Sequence, residues 1–334
     1  MTPSKLYDSY WRFAAERHAM YERRLIDPYG PWTDDPILER YRFTNAFRAA
    51  DRVSQYLIRD VQYRPDRSQE ASEVLFRTIL FKLFNKIETW ELLERSLGPL
   101  TWQKFDLNCA ADLLKSAIKQ NQRIYSAAYL MPSPPFGHDQ KSSNHLALLN
   151  LMMTDRLHES MSKATSLEQV YRLLLAYPGI GRFLAYQYAI DLNYSSFLDF
   201  DEADLVVAGP GALDGISKCF YGLEQTRAEE IIFSMVENQD HEFRRLDLVP
   251  PRLFGRALQP IDCQNLFCEI SKYARVAFPE IEGIAGRVRI KQRYLPRDRA
   301  VIQPLFPPKW DLLVPEFIPI VRPRTQGAKQ MLLF

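Results

Sequence analysis

LLLAYPGIGRFLAYQYAIDLNYSSFLDFD, residues 173–201, is the stretch of this 334-residue chain from which the fold is read. A helix ends at Ala176, the chain turns through Tyr177-Pro178-Gly179-Ile180-Gly181-Arg182, and a second helix follows. Gly179 and Gly181 permit positive φ and remove side-chain bulk. Amides at the start of the second helix can therefore approach a phosphate along the helix dipole. Ile180 is expected to plug the space between the two helices, and Arg182 to place a charge near a nucleic-acid backbone. An ordinary tight turn between packed helices explains the same residues without a ligand, and the four letters PGIG do not separate the two readings.

Outward from this hairpin the patterning is helical as far as Phe278. Tyr10, Phe13, Ala14, His18 and Tyr21 recur at helical spacing within Ser9–Arg24. The same period predicts helices over Pro36–Asp60, Ser72–Phe84, Lys86–Leu97, Asn108–Asn121, Asn144–Met161, Ser166–Ala176, Arg182–Asp191 and Thr226–His241. No run of alternating strands occurs, so the class is all-α. After Phe278, prolines at 296, 304, 307, 308, 315, 319 and 323 recur too often for helix. The expected organisation is a helical domain over 1–284 and an extended, basic, Pro-rich arm over 285–334 wrapping the body.

Composition narrows the classes. Hydrophobic residues make up 46% and charged residues 25%, a globular balance. No apolar stretch approaches a bilayer span, and MTPSKLYDSYWRF has no secretion-signal pattern. Cys109, Cys219, Cys263 and Cys268 lack paired C-x-x-C spacing and read as reduced thiols in a cytoplasmic protein, with no metal site and no cofactor expected. The net charge of +2 hides an asymmetry: the arm holds ten Lys/Arg against three acids, +7, which leaves −5 on the rest. A basic strand on a mildly acidic body suits a polyanion, because phosphate neutralisation releases counterions. A solvated tail explains it equally well.

With its downstream aspartates the hairpin resembles the helix-hairpin-helix DNA glycosylase superfamily, which implies a two-lobed fold with a cleft. In that superfamily a catalytic aspartate stands about twenty residues past the second glycine; here that position is Asp201, with Asp199 nearby as the weaker candidate. A buried carboxylate there would stabilise oxocarbenium-like charge on the sugar and orient water. The competing reading is a helix cap by Asp201. Bifunctional members carry a lysine two residues after the second glycine; this chain has Phe183, which implies a monofunctional enzyme that leaves an abasic site.

Longer segments resemble a more specialised family, the helical domain of 5-hydroxymethyluracil DNA kinases and alpha-glutamyl/putrescinyl-thymine pyrophosphorylases. They are YWRFAAERHAMYERRL, PWTDDPILERYRFTNAFRAADRVSQYLI, the hairpin, FDEADLVVAGPGALDGI and IDCQNLFCEISKY. The resemblance implies DNA with modified pyrimidines as substrate. No G-x-x-x-x-G-K-[ST] occurs, which argues against ATP-dependent phosphoryl transfer by these residues. Three functions follow as expectations. The first is a glycosylase excising hydroxymethylated or glucosylated pyrimidines in anti-phage defence, by base flipping and water attack assisted by Asp201. The second is a transferase displacing pyrophosphate from an activated 5-hydroxymethyl base, and the third a non-catalytic reader of modified DNA.

Asn45, Arg52 and Gln55 fall near one another at helical offsets and suit a flipped base, as do Asp262, Gln264 and Asn265 further on. A structural polar network suits the same residues. The final Gln330-Met331-Leu332-Leu333-Phe334 resembles the bacterial sliding-clamp-binding pentapeptide, with Gln330, Leu333 and Phe334 as anchors; a hydrophobic end folded onto the core is the alternative.

Overall fold

The computed structural model describes residues 1–128, 131–295, 302–318 and 320. Among them stand α1 (Leu6–Ile26), α2 (Pro36–Arg40), α3 (Arg52–Tyr56), α4 (Ala71–Phe84), α5 (Ile87–Leu97), α6 (Leu107–Lys119) and α7 (Lys141–Thr154). Then come α8 (Leu157–Ser162), α9 (Leu167–Leu175), α10 (Arg182–Asn193), α11 (Pro210–Cys219), α12 (Ala228–Arg245) and α13 (Pro260–Ala277). Two short strands, β1 (Thr2–Pro3) and β2 (Phe220–Tyr221), pair antiparallel and hold the N-terminus to the end of α11. The chain is thus mostly helical, as its periodicity predicts. No helix among the described residues is long and apolar enough to cross a membrane.

Two kinds of helix build the core. In α4 every residue from Glu73 to Phe84 is buried, and in α10 every residue from Leu184 to Asn193. Helices enclosed on all sides belong at the centre of a core. Around them α5, α6 and α9 bury one stripe each. Their starts are defined locally: Asp106 accepts from the amides of Asn108 and Cys109, and Ser166 from that of Gln169.

The helical period does not predict α11 or α13, yet these two cross with their backbones in contact. Both begin with proline, at Pro210 and Pro260. A Cβ on Gly215 would lie 2.0 Å from the Phe267 carbonyl oxygen, so only glycine lets the two backbones touch. Beside it the buried Asp214 accepts from Ser271 Oγ and from the Ala285 amide (2.8 Å), fixing the chain that leaves α13.

Two helices expected from periodicity are broken. Over 36–60, α2 stops at Arg40 because donors needed further along are taken by carboxylates. The Thr44 amide donates to Glu269 Oε2 (3.1 Å), Asn45 to Asp51 Oδ1 (2.7 Å) and Arg48 to Asp262 Oδ1 (2.7 Å). A helix would need those N–H groups for carbonyls four residues back. A 3-10 turn at Arg48–Ala50 and a π turn at Leu57–Gln62 carry the chain onward. Over 144–161, Arg156 sits at φ 55°, which separates α7 from α8.

After α13 the chain has no α-helix among its described residues, and it is tied down. Arg42 donates its amide to the Gln292 carbonyl (3.1 Å) and Tyr294 to that of Arg40 (3.0 Å). The Gln55 side chain exchanges two hydrogen bonds with the Leu305 backbone. Lys309 Nζ donates to the carbonyls of Asn193, Ser195 and Leu198, groups left without helical partners where α10 ends. Trp310 stacks on Phe306 under the Arg256 guanidinium.

Candidate functional site

Charged side chains converge in two places, one inside the core and one at a cleft above it. Inside, Asp191 of α10 is fully buried, with Arg48 Nη1 at 2.8 Å and Lys82 Nζ of α4 at 3.0 Å. Burial opposes its charge, but the two cations outweigh it and hold the carboxyl below its ordinary value. Arg48 also reaches Gln187 Oε1 (3.1 Å), and Lys82 reaches Asn85 Oδ1 (2.7 Å). Nearby, burial pushes Glu202 up to about 7 against the pull of Arg256 at 3.2 Å. Asp262 rises to about 6, its burial opposed by the amides of Arg48 and Gln259.

The cleft, about 430 Å3, opens between α1 and the chain leading into α2, with Glu16, Arg23, Trp32, Thr33, Asp34 and Asp35 on its walls. Arg23 donates to Glu16 Oε1 (2.9 Å) and to the Trp32 carbonyl (2.6 Å), and the Arg24 guanidinium lies 5.3 Å over the Trp32 ring. Asp35 caps α2 through one oxygen and accepts from Tyr273 of α13 through the other (2.7 Å). One residue along α1, Arg17 donates to Asn45 Oδ1, and its charge faces Asp51 and Glu269. Burial raises the Asp51 carboxyl to about 7, against the Asn45 amide and the Arg17 charge. Asp51 is thus poised to give or take a proton near neutral pH. Thr44 Oγ1, on the same loop, is buried with no hydrogen-bond partner among the described residues. The walls of the cleft thus carry one aromatic ring, the Arg23 guanidinium and three carboxylates, a polar surface.

The residues expected from sequence fall in different places. Asn45 does not line this cleft; its side chain holds Arg17, the neighbour of Glu16 on α1, and the Ala50 carbonyl. Asp262 and Gln264 are buried in the first turns of α13 and do not line the cleft; Gln264 Oε1 has no partner among the described residues. Asn265, one residue on, is half-buried. Arg52 is exposed, and Gln55 is engaged with Ala49 and Leu305. At the hairpin, Gly179 has φ 81° with Pro134 packed where a Cβ would stand, Ile180 is buried, and Arg182 is exposed beside half-buried Pro178. Gly181 N-caps α10 and has open space around it. Asp201 is exposed and accepts from the Ala203 amide (2.9 Å), capping a 3-10 turn. Asp199 is 83% exposed. Gln330, Leu333 and Phe334 lie outside the described residues.

Sequence reasoning passed over Arg17, Arg48, Lys82, Asp191, Glu202 and Arg256. A signal was present for two of them: Lys82 stands in the apolar run that ends α4, and Asp191 is the one charge in α10 after its first residue; in a core such a charge demands a partner.

Comparison with known proteins decides the family. Residues 4–283 match the family described as "5-hmdU DNA kinase, helical domain". The chain belongs to that family. A curated relative, the 5-hmdU DNA kinase of Bacillus phage SP10, is 28% identical over 298 residues, which cover 81% of this chain and 45% of the relative. The chain therefore spans less than half of that relative's length. No solved structure matches. Membership of a kinase family overturns the expectation of a monofunctional glycosylase that excises bases by hydrolysis, and with it the catalytic role given to Asp201 and Asp199. The geometry agrees: a carboxylate that caps a surface turn is not enclosed near a deoxyribose.

Proposed function

We propose that this chain is the DNA-facing part of a system that phosphorylates 5-hydroxymethyluracil in DNA, holding the modified strand and presenting the base at the Trp32 cleft. The observation that carries this reading is the family match over residues 4–283, the span that contains both the cleft and its polar wall. In such a reaction the 5-hydroxymethyl oxygen attacks a phosphoryl donor and its proton must leave. The cleft walls offer Arg23, Thr33 and the carboxylates of Glu16, Asp34 and Asp35 to the base and its hydroxyl, beside a Trp32 ring that the Arg24 guanidinium covers on one face. The carboxylates on the cleft walls, Glu16, Asp34 and Asp35, are the acceptors offered to that proton. No G-x-x-x-x-G-K-[ST] stands in these 334 residues, so the proposal gives them the DNA side of the reaction and leaves the donor to another unit. The turn at Pro178–Arg182 is assigned to a backbone phosphate, supported by the exposed Arg182 and the open space at Gly181.

The test is a comparison of two duplexes of one sequence, with thymine or 5-hydroxymethyluracil at a single position, by fluorescence anisotropy. One added hydroxyl hydrogen bond is worth about 1 kcal/mol, roughly fivefold in affinity. The modified duplex should bind tighter by about that factor, and Asn45→Ala should abolish the preference while Asp201→Asn leaves it intact. Equal affinities for the two duplexes overturn the proposal.

A further inference from the structure

Beyond the family match, residues 287–293 read Arg-Val-Arg-Ile-Lys-Gln-Arg, with a cation at every second position. All four cations, Arg287, Arg289, Lys291 and Arg293, are exposed, and none forms an ion pair with a carboxylate among the described residues. Ile290, between them, packs on the core. The segment is fixed along its length. The Ala285 amide is held by Asp214, the Arg289 carbonyl accepts from Arg275 Nη1 (3.2 Å), and Arg293 bridges to Tyr41 through the flanking bonds of Gln292 and Tyr294.

We infer that Arg287, Arg289, Lys291 and Arg293 form a phosphate track for one strand of DNA, running along the surface to the rim of the Trp32 cleft. This rests on the reading of the chain as a holder of modified DNA. Alternate residues of a chain stand at most about 6.6 Å apart, so the four cations lie within ~20 Å of one another. A row of unpaired cations at a regular repeat matches a polymer of evenly spaced phosphates better than any compact anion. Its direction is set by Tyr294, whose ring packs edge-on to Trp32 at 6.1 Å, so the track ends at the cleft wall. Charge on a mobile tail would bring general attraction; charge on a pinned segment also sets where the strand lies relative to the cleft.

The experiment uses the full chain with all four residues changed to Gln, and compares it with an equal change of charge elsewhere. Lys104, Lys115, Lys119 and Arg123, all exposed on and around α6, supply the control. Affinity for the thymine and the 5-hydroxymethyluracil duplexes is measured across a salt series. Removing one cation–phosphate interaction lowers the slope of log K against log salt by ~0.9 for duplex and ~0.7 for single strands. The track variant should lose a slope of roughly 3.5 and weaken both duplexes by the same factor, while the control keeps its slope within about 1. An unchanged slope in the track variant, or an equal fall in the control, overturns the track. Loss of base preference in the unmutated chain, with the slope change intact, would strike the proposed function and leave the track standing.

Discussion

Asp191→Asn is the substitution whose cost can be worked most directly from the structure. The side chain is fully buried, and its two oxygens face Arg48 at 2.8 Å and Lys82 at 3.0 Å. Asparagine keeps the shape, removes the charge and turns an NH2 donor toward one of two cation donors. Two buried cations then face each other without an anion between them. Breaking a buried pair costs about 3–5 kcal/mol. Arg48 retains Gln187 Oε1 and Lys82 retains Asn85 Oδ1, which places the expected loss at the low end, about 3 kcal/mol, or more than a hundredfold in the folding constant. Urea unfolding followed by circular dichroism reads it as a lowered midpoint at constant slope. Asp199→Asn, at an 83% exposed site, is the control and should change little. A triple variant, Arg48→Met with Lys82→Met and Asp191→Leu, removes the whole charge set and should be more stable than Asp191→Asn. A loss under about 1 kcal/mol for Asp191→Asn would refute the reasoning.

Gly215→Ala should lower stability by at least 1–3 kcal/mol, the usual range for overpacking, because the new Cβ would fall 2.0 Å from the Phe267 carbonyl oxygen; thermal melting checks it. Gly181→Ala, with nothing near its Cβ, should leave the melting temperature in place. Glu202 predicts a pH effect: its carboxyl is raised from 4.5 to about 7 when folded, so the stability it contributes is present at low pH and is lost as pH rises through 7. Relative to Glu202→Gln, the wild type should lose about 0.8 kcal/mol between pH 6.5 and 8. The comparison with the variant cancels His18 and His145, which burial holds near 4 and whose effect runs in the opposite direction. Parallel pH profiles of the urea midpoint would count against it.

Much of the fold is legible because burial and period agree. Residues 72–84, 108–121 and 182–191 read as helices, and helices stand there within a few residues. The hairpin is also where its letters put it: Gly179 needs positive φ and Gly181 begins α10. Legibility fails where partners lie far along the chain. The amides of Thr44, Asn45 and Arg48 leave the helical pattern because Glu269, Asp51 and Asp262 accept them, two of these from a helix more than two hundred residues away. No local period encodes such a distant partner. Asp201 illustrates the converse. Its spacing from Gly181 suggests a role that only three-dimensional enclosure could support, and the side chain instead caps a turn at the surface.

The loop from Arg42 to Asp51 joins the two charged regions, and this explains why a protein would keep ions in its core. Two residues separate Asn45, which holds Arg17 of α1, from Arg48, which is anchored to Asp191 through its guanidinium and to Asp262 through its amide. A buried ion pair is a poor source of stability compared with an apolar filling of equal volume. It is directional, however, and a guanidinium held by Asp191 and Gln187 allows its backbone one position. Stability and placement should therefore part company in the triple variant. Apolar side chains at 48, 82 and 191 can refill the core and restore the urea midpoint, while residues 44–51 lose the tether that aims Asn45 and Asp51. Such a protein should melt near the wild type and bind DNA with an unchanged salt slope, yet bind the thymine and 5-hydroxymethyluracil duplexes alike. If it kept the preference for the modified base, the core ions would have no part in shaping the site.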